Sequence, residues 1–519
     1  MRHDVPNLQD RTANSARNTA MALAGRIFVT VMGYVVRVVF THTLSQVYVG
    51  VNGLFLDIIN MLSLTELGIE SAVTYALYKP IAEGDIELQK SIMRYYGRMY
   101  RVVALVVALL GLAVLPFLPR LIADYDALDN VTLIYLLYLA NAVVSYLLVY
   151  KRTLIDAHQM LYITSLYHNG FLLLQYVLQI AVLVIARAFI PYLVVAIVCT
   201  IAGNYAMSRK AEALFPFLRD KDVQDFDSRE IERNVKAMLL NKAGSVVINN
   251  TDNLVLSSYF GLAAVGIYSN YFLLIGSLRQ MCNEVFLGMA ASVGNLGVTA
   301  DNARVRKILE AVLLAAAWAY GWAAICLFEL LDPFISLSFG EQYVFGRPIV
   351  LVLCVNFFVL GLRSPSTIFH DSLGLFYYDR FKSLAEALVN LGLSLLLAWL
   401  LGPIGVFLGT LVATVTTSSW IEPWVIYRKR LDCSPAPYYR RMVLYVVVVA
   451  IAWALTAGAC SFIQGDPLMT LLLRFPVCMV LPCAVLFGAL GRTDEFRLLW
   501  GKASRLVRSR LGGHRNEGE

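Results

Sequence analysis

The stretch Tyr48-Val49-Gly50-Val51-Asn52-Gly53-Leu54-Phe55 decides how this chain is read, because its register returns 216 residues later. Val49-Gly50-Val51 falls on Val265-Gly266-Ile267, and Phe55 falls on Tyr271. At the same offset Arg17-Asn18 falls on Arg233-Asn234 and Arg26 on Lys242, with no gap. Both copies lie in apolar sequence. A membrane bundle duplicated in this way is a transporter design, since a site between similar halves can open to either side in turn. The repeat also sets a cation at the same depth in the first helix of each half.

A mean hydropathy of +0.65 with 59% apolar residues excludes a soluble globule, whose apolar share is about half. Apolar windows of about 20 residues predict fourteen spans, near 18–40, 48–77, 100–118, 131–150, 164–186, 189–207, 237–259, 263–291, 308–330, 347–364, 383–401, 403–427, 442–463 and 469–490. The second and eighth are long and carry charges, so each is expected to bend or break. The predicted fold is all-α: a polytopic membrane protein with two six-helix lobes, 1–207 and 237–427, joined by a linker at 208–236. Two further helices in 428–491 and a basic tail at 492–519 fall outside the repeat. Six spans per half leave both halves facing the same way, a parallel repeat about an axis along the membrane normal.

Lys and Arg set the orientation. With the N-terminus inside, the inner segments collect Lys79/Lys90/Arg94/Arg98/Arg101, Lys151/Arg152, Arg209/Lys210, Arg304/Arg306/Lys307, Arg428/Lys429/Arg430 and Arg440/Arg441. The outer segments hold only Arg120, Arg187, Arg347 and Arg474. Both termini are therefore expected in the cytoplasm of a cell whose membrane the chain crosses. The net charge of +7 reflects this topology and attraction to lipid headgroups, and makes no case for nucleic acid. The N-terminus lacks a cleavable signal pattern, so the first span is expected as a retained helix. Residues 86–101 and 496–511 are amphipathic and read as helices on the inner leaflet.

Several chemistries find no support. The eight cysteines are scattered without paired spacing, so neither a disulfide framework nor a metal site is expected. Walker A, HExxH and GxSxG patterns are absent from the sequence, which argues against ATP-driven or hydrolytic function and against a cofactor. The predicted outer loops are too short to fold a catalytic domain.

Ionisable residues inside the spans carry the functional reading, since each costs roughly 2.5–3.5 kcal/mol to insert and normally faces a wet cavity or a partner. Arg26 and Arg37 are eleven residues apart, close to three helical turns, and share a face with Gly33 between them. Lys242, Asn249 and Asn253 repeat that face in the seventh span. Arg279 and Arg363 add cations in the eighth and tenth spans. Guanidinium groups suit phosphate through bidentate hydrogen bonds, so Arg26, Arg37, Lys242, Asn249, Asn253, Arg279 and Arg363 form the candidate substrate-binding set. The alternative for each cation is a helix partner or snorkelling to the interface. Among the acids, Asp57, Asp252 and Glu66 are candidates to carry a coupling ion, H+ or Na+. Glu66, Glu284 and Glu422 read equally well as counter-ions for neighbouring arginines, and Glu386 in the eleventh span shares a face with Asn390.

Leu44-Ser45-Gln46-Val47-Tyr48-Val49-Gly50-Val51-Asn52-Gly53-Leu54-Phe55 resembles the LG-x-x-Y-x-G-x-N-x-LF stretch of the Wzx-like bacterial polysaccharide flippases. These belong to the multidrug/oligosaccharidyl-lipid/polysaccharide exporter (MOP) superfamily. Leu64-Thr65-Glu66-Leu67-Gly68, Ala72-Val73-Thr74-Tyr75, Tyr78-Lys79-Pro80-Ile81-Ala82-Glu83, Ala157-His158-Gln159, and Arg380-Phe381 before Ala385-Glu386-Ala387-Leu388-Val389-Asn390 extend the likeness. Ser45 departs from the pattern where the family usually has Gly, which bears on a turn. The resemblance implies two six-helix lobes around a cationic cavity and a flippase for undecaprenyl-diphosphate-linked oligosaccharide, with a polysaccharide polymerase as a possible partner. Its rivals are an ion-coupled multidrug antiporter of the same superfamily, which would favour an acidic cavity, and a membrane-embedded glycosyltransferase or polymerase, which needs larger loops.

Overall fold

The computed structural model describes residues 28–63, 69–123, 128–158, 160–220, 228–287, 300–375 and 381–501, with a few positions between and beyond them. Side chains at 233–249 lie outside the description. The described residues are helical and contain no strand. The helices are α1 (Phe28–Thr43), α2 (Gln46–Leu62), α3 (Ile69–Glu83), α4 (Ile86–Leu121), α5 (Val131–Tyr146), α6 (Tyr150–Ala157), α7 (Leu161–Ala186) and α8 (Phe189–Leu214). They continue as α9 (Arg229–Leu287), α10 (Asn302–Phe339), α11 (Arg347–Ser372), α12 (Lys382–Leu401), α13 (Pro403–Thr416), α14 (Ser418–Val425), α15 (Ala436–Ser461) and α16 (Pro467–Leu490). Each predicted span finds helix among its described residues. Many of these helices are long and apolar enough to cross a bilayer, so this is a multi-pass membrane protein.

The 216-residue offset governs the helix boundaries as well. α4 and α10 follow Asp85 and Asp301, and α5 and α11 start at Val131 and Arg347. Ser45 breaks the chain before α2 in extended conformation (φ −66°, ψ 155°). Its counterpart Gly261 breaks α9 at φ 78°, ψ 175°, a region that favours glycine. The predicted second span is likewise divided, α2 ending at Leu62 and α3 starting at Ile69. One expectation differs in form: 86–101 is no separate surface helix but the first turns of α4. The reason is that Lys90 is buried there and paired with Glu87 and Asp220.

The chain divides into two compact units, 1–266 and 267–519. In the first, the repeated motifs meet each other. A Cβ on Gly50 would overlap the Leu262 carbonyl oxygen, and one on Gly266 would come within 2.7 Å of the Gln46 carbonyl oxygen and 3.2 Å of the Gly50 nitrogen. Only glycine allows the two backbones so close, as in small-residue packing of membrane helices. Interlocked rings fill the interior: Phe40 lies edge-on to Phe189 and Tyr192 at 5.4 and 5.2 Å, and Phe55 to Tyr135 at 5.2 Å. α5 and α6 meet at a 43° bend. The Asn204 amide donates there to the Ser145 and Leu147 carbonyls at 3.1 and 3.4 Å, satisfying acceptors that a broken helix would strand in the bilayer.

The second unit is organised around α10, whose Tyr320 ring lies where a side chain at Gly361 of α11 would be. α12 and α13 form a tight hairpin. Gly405 and Gly409 face the Leu397 carbonyl and Ser394, and Asn390 donates to Thr410 at 2.9 Å. α15 and α16 are fastened to α10 by two ion pairs, Arg441–Glu310 at 3.3 Å and Arg474–Glu329 at 3.2 Å. Cys326, Cys460 and Cys478, scattered in sequence, pack into one buried cluster between these three helices.

Candidate functional site

Arg26 and Glu66 lie outside the described residues, and so do the side chains of Lys242 and Asn249. The remaining candidates divide between the units. In the first unit, α1 carries Arg37 half-buried one turn beyond Gly33. The Tyr138 and Tyr192 hydroxyls, from α5 and α8, are within electrostatic reach of its guanidinium. Tyr138 donates to Asn52 Oδ1 of α2. Tyr176 of α7 closes over Gly33, its hydroxyl oxygen 3.2 Å from where a Cβ would stand. Arg37 therefore lies near the phenols of α5 and α8, while Tyr176 of α7 closes over the same helix one turn earlier.

Asn253 is the repeat counterpart of Arg37, and it closes a second polar point in this unit. Its Nδ2 donates to Asp57 Oδ2 at 2.6 Å, with Asp252 near enough to act on the same carboxylate. Asn253 Oδ1 is buried and has no hydrogen-bond partner among the described residues. Two of the acids singled out by sequence are thus gathered around one amide.

In the second unit Arg279 is half-buried beside the Tyr320 hydroxyl, which donates to Asn283 Oδ1 at 2.8 Å. Arg363 belongs to a network. Its Nε and Nη2 donate to Glu422 Oε1 at 3.1 and 2.7 Å, and Nη1 reaches Glu386 at 3.4 Å. Lys382 bridges Glu422 and Asp379, both at 2.8 Å. Thr367 donates to Glu422 Oε2 at 2.8 Å, and Ser418 donates to Glu386. His370 sets one ring nitrogen against Asp371 and the other against Asp379, each at 3.0 Å. Asp379 stands in the connection before α12. Burial alone would raise its pKa, but hydrogen bonds from His370 and Lys382 outweigh burial and hold it below the usual carboxylate value.

Sequence reasoning singled out Glu386, Glu422 and Arg363 one by one and missed Lys382, Asp379, His370 and Ser418. The available signal was crowding: His370, Asp371, Asp379 and Lys382 fall within one short connection between apolar spans. A parallel cluster in the first unit, Lys151 with Ser208 at 2.9 Å and with Glu212, was read only as topology.

This arrangement is a membrane bundle with braced charges and a tyrosine-lined cation. No family model matches the chain. It is 21% identical over 359 residues to the uncharacterized membrane protein MJ1068 of Methanocaldococcus jannaschii, covering 64% of this chain and 68% of that one. Among solved structures it is similar to the lipid II flippase MurJ in an inward closed conformation. That likeness has TM-score 0.64 and 12% identity, with 90% of this chain and 98% of that chain covered. An inward-facing multidrug resistance MATE transporter of the MOP superfamily gives TM-score 0.58 at 14% identity, covering 78% and 94%. The Vibrio cholerae MATE transporter VcmN gives 0.55 at 18%, covering 81% and 98%. The fold is that of MOP-superfamily transporters. The similar structures are transporters and a flippase rather than enzymes. Shared fold does not carry substrate across, because function resides in the site.

Proposed function

We propose that the chain is a flippase that moves an undecaprenyl-diphosphate-linked oligosaccharide across the cell membrane by alternating access, with both termini in the cytoplasm. The observation that carries this reading is Arg37: a half-buried guanidinium in the first unit near the Tyr138 and Tyr192 hydroxyls. An arginine so placed offers charge-assisted hydrogen bonds to a phosphate or an acidic sugar, and the surrounding tyrosines offer hydroxyls and ring faces to sugars. The resemblance of 44–55 to polysaccharide flippases supports the same substrate class. Arg26 and Lys242 extend the cationic set in this reading. Arg363, whose donors are engaged by Glu422 and Glu386, is assigned to bracing the second unit. Asp57, with Asn253 and Asp252 beside it, is the place we assign to a coupling H+ or Na+. A polysaccharide polymerase would receive the product.

A second reading, an ion-coupled multidrug antiporter, is favoured by one observation, the Asp57–Asn253 pair, since a half-buried carboxylate suits a cationic drug or its counter-ion. Complementation of a strain lacking its polysaccharide flippase separates the two. Arg37→Ala, inserted at normal levels, should lose surface polymer, and Arg37→Lys should keep part of the activity. Loss of one charge-assisted contact corresponds to about 10- to 150-fold in binding. Full complementation by Arg37→Ala and Arg26→Ala, or drug resistance without polymer export, would overturn the flippase reading.

A further inference from the structure

α4 and α10 occupy the same place in the repeat, yet the corresponding face is treated in opposite ways. On α4, Arg94, Arg98, Arg101, Leu105, Leu109 and Leu112 follow one another at helical spacing and all are exposed. Their counterparts on α10, 216 residues on, are Glu310, Leu314, Ala317, Gly321, Ile325 and Phe328. That stripe is covered by α15: Arg441 pairs with Glu310, Val449 lies 2.7 Å from where a Cβ on Gly321 would be, and Trp453 packs on Phe328 at 5.2 Å. With α11 and α16 packed on α10 as well, 61% of its apolar window is buried, against 28% for α4.

The face left uncovered on α4 carries three arginines at one end and a continuous apolar ridge at the other. Arg94 to Arg101 spans about 10 Å and Arg101 to Leu112 about 16 Å along a helix rising 1.5 Å per residue. Arg101 Nε donates to the Gly97 carbonyl at 3.2 Å, drawing its guanidinium back toward Arg98 and Arg94 and away from the ridge. We propose that this stripe is a binding site for an anionic phospholipid, its phosphate held by Arg94, Arg98 and Arg101 and one acyl chain laid along Leu105, Leu109 and Leu112. Charge complementarity selects this occupant. A protein helix docking as α15 docks on α10 would meet exposed guanidinium groups where α15 meets a glutamate. Basic side chains beside a membrane favour acidic lipid additively, and guanidinium gives bidentate contacts to a phosphate. The site is independent of the substrate assignment.

The test is native mass spectrometry of the full-length protein in detergent, titrated with phosphatidylglycerol and, separately, phosphatidylcholine of the same chains. The protein should retain phosphatidylglycerol in preference. Arg94→Gln/Arg98→Gln/Arg101→Gln should weaken that binding about 10- to 100-fold, whereas the triple Lys variant should keep most of it and so shows that the helix still folds. A control that neutralises three exposed cations elsewhere, Arg304→Gln/Lys307→Gln/Arg497→Gln, should bind as the parent does. Equal retention of both lipids, equal loss in the control, or unchanged binding in the Arg94/Arg98/Arg101 triple would overturn the proposal. So would a photo-crosslinker in place of Leu105 that captures a protein in native membranes and no lipid.

Discussion

Lys151 and Arg363 stand toward the end of the fourth span of their respective halves, and each is answered by a glutamate from the sixth. In the first unit the answer is short: Glu212 of α8 takes Lys151, which also donates to Ser208 at 2.9 Å. Arg219 adds a contact to Glu212 at 3.3 Å. In the second unit the same plan is elaborated, with Glu422, 1% exposed, receiving Arg363, Lys382 and Thr367. Glu386 and Ser418 extend the network on one side, Asp379 and His370 on the other. A buried ion pair adds little net stability by itself, because desolvation offsets attraction. Its removal is costly, because it strands the remaining charge. The comparison therefore teaches where each unit is brittle: at one carboxylate in the second, and at a pair that can partly reorganise in the first.

The largest effect is expected from Glu422→Ala. It leaves a guanidinium and an ammonium facing each other without the carboxylate between them, and should cost about 3–5 kcal/mol. Membrane levels of the protein and its unfolding temperature in detergent are the measurements. Levels and melting like the parent's would break the claim that the second unit hangs on this group.

Lys151→Met should cost less, about 1–3 kcal/mol, since Glu212 keeps Arg219 and the methionine fills similar volume. Combining it with Glu212→Gln should restore part of the loss, because the isolated charge is then gone. A double variant that melts as far below the parent as the two singles added together would show that the pair is not coupled. Arg363→Lys sharpens the contrast from the other side. A point charge cannot hold Glu422 and Glu386 through a planar fork, so a loss of roughly 1–2 kcal/mol is expected for one or two charge-assisted hydrogen bonds. No loss on thermal unfolding would mean that Lys382 alone suffices.

Hydropathy and the 216-residue offset made the helical fold legible, because an apolar span announces itself locally and a duplication imposes its register on both copies. Even the break at Gly261 could be read from Ser45. The side-chain networks were not legible for a different reason. Arg94 and Glu310 are repeat equivalents, yet one is exposed and the other is buried against Arg441 and Tyr427. Whether a charge in a span is buried depends on which helix covers it, and over Glu310 part of that cover comes from α15, outside the repeat. Likewise Asn253 could be recognised as polar and in-span, but its bond to Asp57 joins residues 196 apart.

The smallest effect concerns the outer member of the second network. Asp379 lies in the connection before α12, its side chain 5% exposed, with His370 and Lys382 on its two oxygens. Burial, the largest single influence, would raise its pKa from 3.8, yet the hydrogen bonds and charges of His370 and Lys382 together outweigh it and lower it. The folded state thus binds this proton less readily than the unfolded chain does. Such a group contributes stability that is fully present above the unfolded value and is lost as pH falls through the lower folded value. Between about pH 4 and neutrality its contribution should therefore stay constant, and below that window it should decline. The amount should be within about 1 kcal/mol, because without Asp379 the Lys382 ammonium keeps Glu422 and the His370 ring keeps Asp371. Thermal unfolding of the parent and of Asp379→Asn, compared at pH 7, 5 and 3, measures it: the gap between the two should be similar at pH 7 and 5 and smaller at pH 3. A gap that widens on acidification would mean that Asp379 is bound more tightly in its protonated form, and the bonds to His370 and Lys382 would then have the opposite meaning.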